Sequence, residues 1–226
     1  MPELPEVETV RRGLEPVLVG QKIIRVEQRR ADLRIPFPEN FSARLTGRTV
    51  EMLTRRAKYL LAHLDDGAVL IVHLGMSGRV SIVGPEHKLG RKPGQLGEFT
   101  HNQGNRGVHD HVVLRLASGI EIVYNDPRRF GLMDLSTSAG IADHPLLADL
   151  GVEPLGPDLT PVHLARHAAG RRSDLKSFLL DQRIVAGLGN IYVCEALFRT
   201  RLKPSRARSL RKCSVAVSSR FFDRSA

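Results

Sequence analysis

Apolar residues near the start of the chain recur at helical spacing. Val7, Val10, Leu14 and Val17 fall every three or four positions, which lines one face and predicts a helix over residues 5–18. Pro5 suits the first turn, where its missing N–H is not needed. Glu6 and Glu8 suit the positive end of the helix. From Lys22 to about Leu135 the period shortens. Residues 23–26, 49–53, 59–64, 68–74, 112–116 and 120–124 are short runs of β-formers, each read as a strand. Asp65-Asp66-Gly67 and Ser118-Gly119 are turn sequences that join neighbouring runs as hairpins. Strands at this spacing predict an antiparallel sandwich.

Between these runs, residues 84–108 are rich in Gly, Pro and Lys/Arg and read as a long exposed loop. Residues 136–161 form a connection punctuated by Pro and Gly, with a short helix expected at 145–150. From Pro161 the pattern becomes helical. Helices are expected at 162–169, at 173–181 with Ser173 as the cap, and at 191–200. Between the last two, Gly187-Leu188-Gly189-Asn190 reads as a tight turn feeding a helix N-terminus, with Asn190 able to cap it. The chain thus divides into a β-rich N-terminal part and a helical C-terminal part, with no internal repeat.

Charge changes this picture in one place. The net charge of +10 suggests a polyanionic partner, yet residues 199–226 carry nine Lys/Arg and one acid, +8 of that total, which leaves +2 for residues 1–198. Nucleic-acid binding by the body must therefore rest on local placement of charge. No apolar run is long enough to span a membrane, and the start lacks a signal-peptide core. Cys194 and Cys213 are the only cysteines. They form no C-x-x-C pair, which argues for a reducing, cytoplasmic setting and against a metal site built on cysteines.

Chemistry begins at the second residue. Removal of Met1 makes Pro2 a free secondary amine, which forms an iminium with an aldehyde-like carbon and keeps the positive charge without a proton. The charge is then an electron sink for elimination. Glu3 and Glu6 lie close enough in sequence to move protons. Lys58, in Arg55-Arg56-Ala57-Lys58-Tyr59, is a candidate phosphate ligand or proton donor, though basic residues before a strand are by default simply solvated. Met76, in the Gly-flanked turn 73–78, is either core filler or a wedge between bases. Arg128 and Phe130, in the turn 125–131, suit hydrogen bonding to base edges and stacking. His109-Asp110-His111 resembles a metal motif but lacks partner ligands. A phosphate contact from His109 is the better reading. Free N–H groups at the Gly187–Asn190 turn suit a phosphate, with Arg171, Arg172 and Lys176 upstream.

Taken together, these segments resemble the bacterial formamidopyrimidine-DNA glycosylases. The resemblance rests on MPELPEVETVRRGLEP at 1–16, RRAKYLL at 55–61, HLGMSG at 73–78, HDHV at 109–112, DPRRFG at 126–131, HPLLADLGVEPLGPDL at 144–159 and LLDQRIVAGLGNIYVCEALF at 179–198. It implies an α+β fold: an N-terminal β-sandwich with flanking helices, then a helical helix-two-turn-helix DNA-binding domain, with DNA bound in the cleft between. The expected domains are a catalytic β-sandwich at 1–135, a linker at 136–160, a partial helix-two-turn-helix domain at 161–204 and an unmatched basic tail at 205–226. It implies base-excision repair by a bifunctional enzyme, a DNA N-glycosylase for oxidised purines and an abasic-site lyase. The partner would be duplex DNA carrying oxidised purines or abasic sites, bound by a monomer away from membranes. Pro2 would attack C1′, Glu3 would move protons during ring opening and base release, Glu6 would support the N-terminal site, and Lys58 would give a proton during β-elimination. His109, Arg128, Arg171, Lys176 and Asn190 would hold DNA. Met76, Arg128 and Phe130 would fill the gap left by the extruded nucleotide.

The chain departs from the family after about Lys203-Pro204. The family's four-cysteine zinc finger, whose hairpin carries an Arg used in δ-elimination, has no counterpart here, so no cofactor and no metal ligand are expected. β-Elimination products should then dominate. A truncated or frameshifted gene is one reading of the tail. A non-catalytic damaged-DNA-binding remnant is the alternative to a working enzyme.

Overall fold

The computed structural model describes residues 2–84, 107–171 and 173–205. Expectations for Met1, for most of the 84–108 loop, for Arg172 and for the tail from Arg206, Cys213 included, lie outside the described residues. The chain falls into two compact units, Met1–His144 and Pro145–Ala226.

The first unit opens with helix α1, Leu4–Leu18. A reciprocal capping box sets its start. The Glu6 carboxylate accepts the Glu3 N–H at 2.9 Å while the Glu3 side chain accepts from the backbone of Glu6, so two N–H groups of the helix entry find partners. Leu4, Val7, Leu14 and Leu18 form its buried face. Strands β1 (Ile23–Gln28), β2 (Val50–Arg56), β3 (Tyr59–Leu64), β4 (Ala68–His73), β5 (Arg79–Val83), β6 (Asp110–Leu116), β7 (Glu121–Asn125) and β8 (Leu132–Thr137) follow, with a short helix α2 (Phe41–Leu45) between β1 and β2. They form two antiparallel four-stranded sheets, ordered β1-β6-β7-β5 and β2-β3-β4-β8. Alternate residues from both, such as Leu60, Ala62 and Leu64 of β3 and Val112, Leu114 and Leu116 of β6, share one core with Val7, Leu14 and Leu18 of α1. The sandwich expected from strand spacing is therefore the observed architecture. Helix α2 and strands β5 and β8 had no clear periodic signal. Phe41 and Leu45 are almost fully buried, and packing against β1, not propensity, makes five residues helical.

The second unit is helical: α3 (Pro161–Ala168), α4 (Leu175–Leu180) and α5 (Asn190–Arg199). Its separate core gathers Leu159, Leu164, Leu175, Phe178, Leu179, Ile184, Val193 and Leu197. Two expectations are corrected here. Residues 145–150 form turns, not a helix. The cap of α4 is Asp174, whose carboxylate accepts the Ser177 N–H at 2.8 Å, while the Ser173 hydroxyl is buried with no hydrogen-bond partner among the described residues. Between α4 and α5 the chain makes two successive turns at residues 182–187, a helix, two turns and a helix in order. None of the helices among the described residues is long and apolar enough to cross a membrane.

Candidate functional site

Pro2 is half-buried at the head of α1, and the residue behind it, Glu3, is only 2 % exposed. The capping box fixes both carboxylates: Glu3 and Glu6 are held where the helix begins. Lys58 joins them from the hairpin between β2 and β3. Register pairs Arg56 with Tyr59, so Ala57 and Lys58 are the whole loop. Ala57 takes φ +51°, a left-handed conformation that costs a residue with a Cβ on the order of 1 kcal/mol. The strain turns the lysine inward, where it is 6 % exposed. Burial lowers the Lys58 pKa, and the nearby charges of Glu3 and Glu6 oppose that fall. A lysine so placed gives up its proton more readily than one in water.

A second set of residues ties the hairpin to the helix. Arg55 donates from Nε to Glu8 Oε2 at 3.1 Å and from Nη1 to the Ala57 carbonyl at 2.8 Å. Glu8 also accepts from Arg11 and Arg12. Burial would raise the Glu8 pKa, but hydrogen bonds from Arg11, Arg12 and Arg55 win and bring it down to about 2. The strained loop that carries Lys58 is thus anchored to the helix that carries Pro2. His73, at the end of β4, packs its ring 4.8 Å from that of Tyr59, and its Nδ1 accepts the Gly75 N–H at 3.0 Å. Burial, then Lys58 and Arg34, push its pKa down to about 4. Sequence reasoning missed Glu8, Arg55 and His73. Each sat inside a segment already noted, but only the fold reveals what it touches.

The two turns expected to probe bases meet on the same unit. Met76, on the β4–β5 loop, is 46 % exposed and Phe130, on the β7–β8 loop, 41 %. Both are large apolar side chains held out of the core. The Arg128 guanidinium carbon lies 4.8 Å above the Phe130 ring, a cation–π contact that keeps both side chains extended. A Cβ on Gly75 would overlap the Phe130 backbone, so only glycine lets the loops touch at this point. His109 is half-buried just ahead of β6. Its ring stands edge-on to His111, centroids 6.5 Å apart, and its carbonyl accepts the Asp126 N–H.

The remaining candidates lie in the helical unit. Asn190 is the exposed first residue of α5, and Gly189, not Asn190, occupies the cap position. Gln182 braces the preceding turns, donating from Nε2 to the Leu180 and Leu188 carbonyls and accepting the Gly187 N–H, all at 2.8–2.9 Å. Lys176 is half-buried on α4. Arg171 is exposed but ion-paired, 2.9 Å from Asp181. Among the described residues no group of three or more His, Cys, Asp or Glu side chains comes together to hold a metal, and the two cysteines of the chain do not fit a four-cysteine zinc site.

Comparison with known proteins bears on the whole arrangement. Residues 1–133 match the sequence model of the formamidopyrimidine-DNA glycosylase N-terminal domain, and residues 150–220 match that of the formamidopyrimidine-DNA glycosylase H2TH domain. The chain belongs to this family. The formamidopyrimidine-DNA glycosylase of Bradyrhizobium sp. (strain ORS 278) is 57 % identical over 206 residues, 91 % of this chain and 69 % of the relative. That of Methylocella silvestris is 59 % identical over 217 residues, 95 % of this chain and 72 % of the relative. Among solved structures, the complex of the Lactococcus lactis Fpg with abasic-site DNA matches 98 % of this chain and 76 % of its own, with a TM-score of 0.80 at 31 % identity. A second Lactococcus complex, with DNA bearing an N7-benzylated Fapy-dG, matches with a TM-score of 0.81. The family's H2TH model begins at residue 150, ahead of the helices expected from 161, and runs on to residue 220.

Proposed function

We propose that this chain is a base-excision repair enzyme that removes oxidised purines from duplex DNA and nicks the resulting abasic site by β-elimination through an iminium at Pro2. The observation that carries the reading is the convergence at the head of α1. A buried carboxylate at Glu3, the residue after Pro2, and a buried lysine at Lys58 lie close enough for their charges to interact.

In this reading the Pro2 lone pair forms a bond to C1′ as the bond from C1′ to the base breaks, the electron pair leaving with the base. The proton on the Pro2 nitrogen passes to the departing base, and the lone pair this frees forms the iminium as the C1′–O4′ bond opens and Glu3 delivers a proton to O4′. The cation acidifies the hydrogens on C2′. One passes to the Glu3 carboxylate, the electrons form the C1′-conjugated double bond, and the 3′-phosphate departs with a proton from Lys58. The lowered pKa of Lys58 makes that donation easier, and the reaction needs no cofactor. Extruding the nucleotide costs a few kcal/mol, which the insertion of Met76, Arg128 and Phe130 into the stack offsets. His109, Arg171, Lys176 and Asn190 hold phosphates, Arg171 while its charge is shared with Asp181. The enzyme acts as a monomer in the cytoplasm, where Cys194, a free thiol in the structure, stays reduced.

Borohydride trapping on an 8-oxoguanine:cytosine duplex tests this directly. A covalent complex that disappears in Pro2→Gly is expected. Gel-shift binding with no trapped product would instead assign a damaged-DNA-binding protein without catalysis.

A further inference from the structure

Asp126 is fully buried, and the chemistry above leaves it unused. Its carboxylate is nonetheless crowded with donors. Oδ1 accepts from the Ser77 hydroxyl. Oδ2 accepts the Gly131 N–H at 2.8 Å and the Tyr124 hydroxyl at 3.2 Å. Its carbonyl accepts the Arg129 N–H and bonds His111 Nε2 at 2.8 Å. Ser77 Oγ in turn accepts the Arg128 N–H at 3.2 Å. One carboxylate therefore joins the residue after Met76 to the residue after Phe130, and through a single hydroxyl to the backbone of Arg128. The fit is close: a Cβ on Gly131 would overlap the Tyr124 hydroxyl. A carboxylate accepts and never donates, so all three of its partners must be donors, as they are.

We infer that Asp126 is a positioning residue that clamps the Met76 loop and the Arg128/Phe130 loop into one rigid wedge, so that filling the vacated stack and probing the opposite base occur as a single event. The inference rests on the function proposed above. Were the loops independent, Met76 could insert without Arg128 meeting the opposite base, and excision would not depend on that base. With the clamp, a misfit at Arg128 withdraws Met76 as well. Ser77 is the hinge pin, because its one hydroxyl both donates to Asp126 and accepts from Arg128.

Two variants test the clamp. Asp126→Asn turns one acceptor into a donor facing a donor, and Ser77→Ala removes the bridge. Excision from 8-oxoguanine:cytosine duplex should fall at least about tenfold in Asp126→Asn, the size of one lost charged hydrogen bond. The preference for cytosine over adenine opposite the lesion should collapse toward one. Borohydride trapping on a single-stranded abasic oligonucleotide, which has no stack to fill and no opposite base, should stay within about twofold, since a local change at the wedge leaves the Pro2 chemistry alone. Ser77→Ala should show the same signature more weakly, and the double variant should be no worse than Asp126→Asn. In parallel, amide hydrogen exchange should accelerate at both loops and not in α1. An equal fall in duplex excision and single-stranded trapping, unchanged discrimination, or faster exchange in one loop alone would overturn the clamp. The exchange measurement decides it even for a chain that gives no trapped complex, an outcome that counts against the catalytic reading instead.

Discussion

His73 shows how much a single side chain takes from its surroundings. Burial first, then the positive charges of Lys58 and Arg34, bring its pKa from 6.5 to about 4. The Gly75 N–H pointing at Nδ1 places the ring proton on Nε2. Below pH 6.5 the unfolded chain takes up a proton that the folded chain refuses until about pH 4. The unfolded state therefore binds more protons in that window, and stability is lost as pH falls through it, by up to about 3 kcal/mol. His73→Asn keeps an acceptor for Gly75 and has nothing to titrate. Urea unfolding followed against pH should have a shallower slope between pH 6.5 and 4 in this variant, and an unchanged slope would place the titration elsewhere. The sequence showed a histidine in a turn motif. It did not show a lysine from one hairpin and an arginine from the β1–α2 segment converging on it.

At the scale of elements, the start of α4 separates what composition suggests from what geometry selects. Ser173 and Asp174 are both good capping residues, and only the backbone path decides between them. Asp174 takes the Ser177 N–H and its hydroxyl. Ser173 is left with a buried oxygen that has no partner among the described residues, which is better removed than kept. Asp174→Ala should lower the melting temperature of the helical unit, whereas Ser173→Ala should leave it unchanged or raise it. The opposite order in a thermal scan would return the cap to Ser173. The hairpin at Ala57-Lys58 makes the same point. The strand on either side was legible from its β-formers, but β2 runs on to Arg56, past the end of the β-former run at 49–53. That extension makes the loop two residues long and turns Lys58 inward.

For the whole molecule, the net charge of +10 overstates what the described body offers to DNA. The candidate phosphate ligands differ among themselves. Lys176 makes no ion pair among those found between described residues, whereas Arg171 is already neutralised by Asp181. The Asp181 carboxyl is held well below its usual range by Arg183 foremost, against the effect of burial, and by Arg171. A cation that releases a counterion from DNA contributes about 0.9 to the slope of log affinity against log salt. Lys176→Ala should reduce that slope by close to this amount on an abasic-analogue duplex, and Arg171→Ala by clearly less, since its charge is partly spent within the protein. Equal losses in the two variants would show that DNA displaces Asp181 completely.

By itself the sequence determined the periodicities of α1 and of six strands, the division into a sheet-rich and a helical part, and the chemical types at Pro2, Glu3, Glu6 and Lys58. Those properties are local: a run of β-formers, a cap, a proline beside two carboxylates. The tertiary structure alone decided the strand orders of the two sheets, the short helix at Phe41–Leu45, the burial that tunes Lys58 and His73, and the meeting of Ser77 with Asp126, 49 residues apart. Each of these depends on which distant segments lie against one another, and a hydrogen bond or a desolvated charge has no energy to report until the chain has closed around it.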